Sequence, residues 1–193
     1  MTIASFSPLK AKNLSLDEFL ALPETKPASE YINGHIEQKP MPQGKHSLLQ
    51  GRFLNQINQR GESAQRVYAF PELRCTFAGR SIVPDIAVFE WNNIPLDDQG
   101  EIMNKIEILP DWIIEILSPE QSSIKLINKI SFSLKNGTKL GWLISPQDRI
   151  VLVFQGDKLP DSKEGDDFLP VLETLSDWQF SANDLFNLLS LKI

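Results

Sequence analysis

The sequence predicts an α/β domain with a mixed β-sheet between helices. Three observations carry that prediction. Short runs rich in β-branched and aromatic residues are bounded by Pro, Gly or Asp, amphipathic stretches at helical spacing precede and follow them, and two of the runs are apolar on both alternating faces. Those two, "SIVPDIAVF" at 81–89 and "WIIEIL" at 112–117, read as central strands covered by helices on each side. A chain of 193 residues, 41% of them hydrophobic, can bury a real core and suits one domain over 1–193.

In chain order, "SLDEFLALP" reads as a short helix opened by Ser15 with Glu18 three residues on, and closed by Pro23. "YINGHI" places Asn33-Gly34 between apolar pairs, the strongest short hairpin signal, because a type I′ turn needs two residues that tolerate positive φ. From Gly44 to Arg60, Leu49, Phe53 and Ile57 recur at four-residue spacing, which describes an amphipathic helix with a basic polar face. "RVYAF" and "LRCTF" are the next strands, followed by the two apolar runs. Ile124, Ile127, Ile130 and Leu134 share a helical period that Gly137 stops. "KLGWLISP" and "RIVLVF" read as strands joined by Pro146-Gln147-Asp148, and Ser181 with Asp184 caps a last amphipathic helix. Trp91, Trp112, Trp142 and Trp178 lie at strand ends and near turns, where packing is the expected role.

Composition narrows the function classes. No apolar run approaches the roughly 20 residues a membrane span needs, and "MTIASFSPLKAKN" lacks a basic start followed by an apolar stretch, so a cytoplasmic protein is expected. The single Cys75 cannot form an internal disulfide, and one Cys with two His cannot build a zinc site, so a metal would be held mainly by oxygen. The net charge of −6 conceals a pattern. Residues 39–80 carry seven Lys/Arg against two acids and residues 121–149 five against one, whereas 81–120 carry nine acids and one Lys. An acidic segment flanked by basic ones suits a cation site beside a polyanion, although charge runs also form plain solvated faces.

Asp85 and Glu115 each interrupt an apolar run. Alternation sets Asp85 on the face of Val83 and Ala87, and Glu115 on the face of Ile113 and Leu117. An ionised carboxylate there costs several kcal/mol unless a cation or strong donors meet it. Either acid alone is explained by a salt bridge. Two on adjacent central strands would repel unless a divalent cation lay between them, and oxygen ligands suit Mg²⁺ or Mn²⁺. Asp111, after Pro110, reads instead as a turn residue that needs no special partner.

"VPDIAVF…IIEILSP", a Lys-bearing stretch, Gly137 and "LGWLIS" together resemble the PD-(D/E)XK nuclease superfamily, in its branch of restriction-endonuclease-like proteins of unassigned role. The resemblance covers about residues 29–155, including "SEYINGHI" and the helix led by His46. It implies a restriction-endonuclease-like core, with the N-terminal and C-terminal helices as appendages, and metal-dependent phosphodiester hydrolysis. It makes Asp85 the metal-bridging acid, Glu115 the second acid, and the backbone carbonyl of Ile116 the remaining protein ligand. In the superfamily's simple form a Lys stands two residues after the second acid, where this chain has Leu117. The branch supplies it from the following helix, and Lys129, eight residues before Gly137, fits ahead of Lys125 one turn away. Glu30 and His46 match branch positions that would ligand a second metal or bind phosphate; a strand-edge acid and a surface histidine are the plain alternatives. Glu72, just before a strand, is a further candidate to approach Asp85.

The expectation is therefore a Mg²⁺- or Mn²⁺-dependent endonuclease acting on nucleic acid, DNA first, with a homodimer as a natural way to cut both strands. The missing lysine and acidic total charge favour a second reading, a catalytically silent module of the same fold binding nucleic acid or a protein. A third is a metal-free α/β protein with salt-bridged carboxylates.

Overall fold

The structure, a computed structural model, describes residues 14–119 and 121–192. The N-terminal stretch "MTIASFSPLKAKN" lies outside the described residues. Helix α1 (Leu16–Leu20) carries the expected capping box, with Ser15 and Glu18 each accepting the other's backbone N–H. Strands β1 (Ser29–Ile32) and β2 (His35–Gln38) form the hairpin, turning at Asn33 and Gly34 with φ of 52° and 85°. Helix α2 (Gly44–Gly61) buries Leu49, Phe53 and Ile57 as their spacing requires.

The remaining elements are β3 (Val67–Pro71), β4 (Cys75–Phe77), β5 (Arg80–Ile82), β6 (Ile86–Glu90), β7 (Trp112–Ile116), α3 (Ser123–Lys135), β8 (Leu140–Ser145), β9 (Ile150–Phe154), β10 (Asp161–Lys163) and α4 (Ala182–Asn187). They build two sheets. The larger has the order β10-β9-β8-β7-β6-β3, the smaller β2-β1-β5-β4. Among the described strands of the large sheet only β7 and β8 pair in parallel, joined through α3, so this sheet is mixed as expected.

Each face of the large sheet has its own core. On one, Trp112, Ile114, Ile116 and Trp142 pack under α2 and the segment from Leu169 to Phe186. Phe53 stacks there on Trp142 at 5.4 Å and on Phe180 at 5.6 Å, so Trp112, Trp142 and Trp178 are packing residues. On the other, Ala87, Ile113 and Leu143 meet Leu126 and Ile130 of α3 together with Cys75 and Ile82 of the small sheet. A Cβ at Gly141 would collide with Ile130. Glycine thus lets α3 lie directly on β8, and that depth sets how far its inward side chains reach.

Two expectations need correction, and one strand is new. "SIVPDIAVF" is not one strand: β5 pairs with β1 and β4 in the small sheet, β6 with β3 and β7 in the large one, and Asp85 occupies a bend between them. Pro84 has no N–H to give a ladder, so the strand breaks there and the pleat no longer sets where Asp85 points. Ile124 is 65% exposed, because the buried stripe of α3 runs through Leu126, Lys129, Ile130 and Ser133. Six residues at about 3.6 per turn rotate Ile124 away from Ile130. The polar edge strand β10 has no apolar alternation and was not foreseen.

Candidate active site

The bend at Asp85, the end of β7 and the middle of α3 converge where the two sheets meet. Ile86 lies opposite Ile114, so Asp85 and Glu115 are the next residues along that ladder. Asp85 is gripped from three directions. Its Oδ1 accepts from Lys39 Nζ at 2.7 Å, and its Oδ2 accepts from His46 Nε2 at 3.0 Å and from the Ile116 backbone N–H at 2.7 Å. Its carbonyl accepts from Gln50 and from Glu72 N–H. These bonds replace the strand as the device that orients the carboxylate.

Glu115 stands in a different condition. It is fully buried, and Lys129 Nζ lies 3.1 Å from its Oε1. Neither carboxylate oxygen accepts a hydrogen bond. Lys129 is also buried and bridges to Glu30 Oε1 at 2.7 Å, while the same Glu30 oxygen accepts the Val83 N–H at 2.7 Å. Lysine charge thus reaches the second acid from α3, across the place where Leu117 carries none. Glu30 and His46 are not surface groups: both are buried and both touch the cluster.

Electrostatics separates the two acids. Burial opposes ionisation of Asp85, but the His46 hydrogen bond and the Lys39 charge outweigh it and hold its carboxyl well below the usual carboxylate range. At Glu115 burial wins over the Lys129 charge, and the neighbouring Asp85 charge adds to it, so its pKa is pushed up to about 8. Lys129 stays protonated: burial pulls its pKa down, and the Glu115 and Glu30 charges raise it above the usual lysine value.

These groups fit a hard divalent cation. The donors are carboxylate oxygens, and two of them are buried with unused bonding capacity. Among the described residues no three His, Cys, Asp or Glu side chains form a closed cage, so an ion here would rest on two carboxylates and keep water or substrate oxygens. Two cavities open beside the cluster. One of about 530 Å³ is lined by His46, Leu117, Ser118 and Gln121; one of about 380 Å³ by Glu30, Lys39 and Lys129.

Of the two lysines, α3 turns Lys129 inward, while Lys125 is exposed and pairs with Glu37 at 2.7 Å. Glu72 is half exposed and only 4.0 Å from Lys39, but its backbone, at φ 46°, holds the Asp85 carbonyl. Lys39 and Gln50 were missed. Lys39 belongs to the basic run of 39–80, and nothing local foretells that it reaches Asp85 forty-six residues on. Asp111 also departs from expectation: it is buried and accepts from Glu90 N–H, Asn93 and Lys139.

A family described as "Putative restriction endonuclease", Uma2, matches residues 16–183. The chain belongs to the Uma2 family. A crystal structure of a putative nuclease belonging to DUF820 from Anabaena variabilis ATCC 29413 is 48% identical to this Uma2 chain, with a TM-score of 0.90 over 92% of it and 99% of that chain. A comparison with curated proteins finds no match. The Uma2 match and the nuclease neighbour bear out the restriction-endonuclease-like fold with its mixed central sheet. No helix among the described residues of this Uma2 chain is long and apolar enough to cross a membrane.

Proposed function

We propose that the chain is a divalent-metal-dependent endonuclease that hydrolyses phosphodiester bonds of DNA. One observation carries the reading: a fully buried Glu115, with Lys129 alone at its Oε1, lies opposite the ionised Asp85. The Lys129 pair engages Oε1 and leaves Oε2 without a partner. Family membership and the nuclease neighbour support a nuclease-like function.

Asp85 and Glu115 would hold Mg²⁺ or Mn²⁺, with the Ile116 carbonyl as the backbone donor. The bound ion would supply a water of lowered pKa and polarise a non-bridging phosphate oxygen. His46, Lys39 and the Ile116 N–H fix the Asp85 carboxylate in place and keep it ionised. Lys129, held by Glu30, keeps a positive charge beside Glu115, where it orients the attacking oxygen and offsets charge developing on phosphate. Glu30 acts through Lys129 and through Val83. The reading also takes in a cytoplasmic setting and a homodimer that pairs two such sites on one duplex.

Nicking of supercoiled DNA in Mg²⁺ or Mn²⁺ tests it, comparing the wild type with Asp85→Ala, Glu115→Ala and Lys129→Ala. Metal-dependent nicking lost in all three is expected. Nicking that survives both acid substitutions would sink the proposal. Metal uptake without any strand cut by the wild type would favour the second reading, a silent module that binds nucleic acid or protein.

A further inference from the structure

The basic segments that suggested a polyanion partner are mostly occupied inside the protein. Arg52 donates to the Leu188 and Ser190 carbonyls, Arg66 to Asp177, and Arg74 to Glu24. Lys139 pairs with Glu90 and Asp111, and Lys39 and Lys129 belong to the buried cluster. On α2 itself Arg52 is tied to those carbonyls and Arg60 lies over the Trp178 ring, which leaves Lys45 as its exposed cation. Among the described residues of the two segments, Lys45, Arg60, Arg80, Lys135 and Arg149 form no ion pair, and Lys125 has only an exposed one with Glu37.

Arg80, Lys125 and Lys135 line one groove. A cavity of about 410 Å³ between the β1–β2 turn and α3 is bordered by Arg80, Lys125 and Lys135, with Glu37 as its acid. Arg80 is held over the Phe132 ring at 3.8 Å and bonded to the neutral Asn33 side chain, so its place is fixed while its charge stays uncompensated. Lys125 is 67% exposed, and its pair with Glu37 is of the weakly held surface kind. The groove shares Lys125, Lys129 and Glu37 with the 380 Å³ cavity that reaches Glu30 and Lys39. It leads from solvent to the buried cluster.

We propose that this groove is the track for the phosphate backbone of a nucleic-acid strand, with Arg80, Lys125 and Lys135 as phosphate contacts. The proposal rests on the nuclease reading and deepens it by naming the surface through which substrate arrives. Lys125 and Lys135 are ten residues apart on α3, about 15 Å at 1.5 Å per residue, which spans about four nucleotides at 3.4 Å axial rise. A strand lying along α3 meets a positive lining on a chain of net charge −6. Docking elsewhere on the acidic surface is opposed. A phosphate entering the groove competes with Glu37 for Lys125, and this exchange opens the way toward Lys129.

Fluorescence anisotropy of a fluorescein-labelled 20-mer, as duplex and as single strand, tests the track in EDTA across a NaCl series. The triple variant Arg80→Gln/Lys125→Gln/Lys135→Gln is expected to bind about tenfold more weakly or worse at low salt. Its log K against log salt should be shallower by about 2 to 3, near 0.9 per lost duplex contact and 0.7 per lost single-strand contact. Lys158→Gln, exposed and outside the groove, should match the wild type. If the triple variant does not fold by circular dichroism, Lys135→Gln alone should still lower the slope by nearly one. Loss on either oligonucleotide supports the track and tells which form it takes. An unchanged slope and affinity on both, or an equal loss in Lys158→Gln, overturns it. Failure of the track leaves wild-type nicking intact; failure of the nuclease reading leaves a binding loss without nicking.

Discussion

Asp85 and Asp111 each follow a proline, each lie buried at an end of the β6–β7 pair, and each touch a lysine. Their neighbourhoods differ in what remains unmet. Both oxygens of Asp111 are used, by Asn93, Lys139 and the Glu90 N–H, and Lys139 is 49% exposed. Asp85 is equally well bonded, but beside it Glu115 is sealed from water with Lys129 as the sole partner of Oε1 and none at Oε2. A buried carboxylate is therefore not by itself a sign of chemistry. Buried capacity that the fold leaves unused is the stronger sign, because folding gains nothing from it.

The contrast is broken most sharply by activity. Asp85→Asn and Glu115→Gln should each lower metal-dependent nicking by more than about 100-fold, beyond the cost typical of residues that only support a metal ligand. Asp111→Asn should leave nicking at the wild-type level while lowering the urea midpoint. Equal losses at both ends of β7 would erase the distinction.

Stability should follow the same division. Lys129→Met strands the buried Glu30 without a counter-charge and should cost about 3–5 kcal/mol in urea melts. Lys139→Met, at the exposed pair beside Asp111, should cost about 1 kcal/mol or less.

The pH response is smaller and has a defined sign. Glu115 keeps its proton in the fold up to about pH 8, whereas in the unfolded chain it releases it near about 4.3. Between those values the folded chain binds more protons, so metal-free stability should fall as pH rises through that window. Asp85 acts oppositely, its depressed pKa removing stability only as the solution becomes acidic enough to protonate it. Melting temperatures at pH 5, 6.5 and 8 should show the decline in the wild type and a flatter profile in Glu115→Gln. A profile unchanged by Glu115→Gln would place the titrating group elsewhere.

The finest effect concerns Lys39, which occupies Asp85 Oδ1. Removing a competing cation by Lys39→Met should tighten Mn²⁺ binding by calorimetry. Weaker binding would make Lys39 a support for the ion and not a competitor.

Much of the frame was legible in the sequence because it rests on local rules. Capping at Ser15 and Ser181, the Asn33-Gly34 turn and the four-residue stripe of α2 are short-range patterns, and all appear in the structure. The site was legible only in part. Asp85, Glu115 and Lys129 interrupt apolar faces or match a family pattern. Lys39 and Gln50 reach Asp85 across forty-six and thirty-five residues, and no local period encodes that meeting. The break at Pro84 was readable in principle, since proline cannot serve a central ladder. Asp111 misled for the converse reason, because a Pro-Asp turn says nothing of the buried partners the fold will bring to it.

The most direct measurement is a Mn²⁺-soaked crystal examined by anomalous difference density, with Lys39 and Lys129 in place. A peak within bonding distance of both Asp85 and Glu115, with none at Asp111, is the predicted result. A peak at Asp111, or no peak at the Asp85–Glu115 pair at a Mn²⁺ concentration that supports nicking, would contradict the assignment of those two carboxylates as the metal-holding pair.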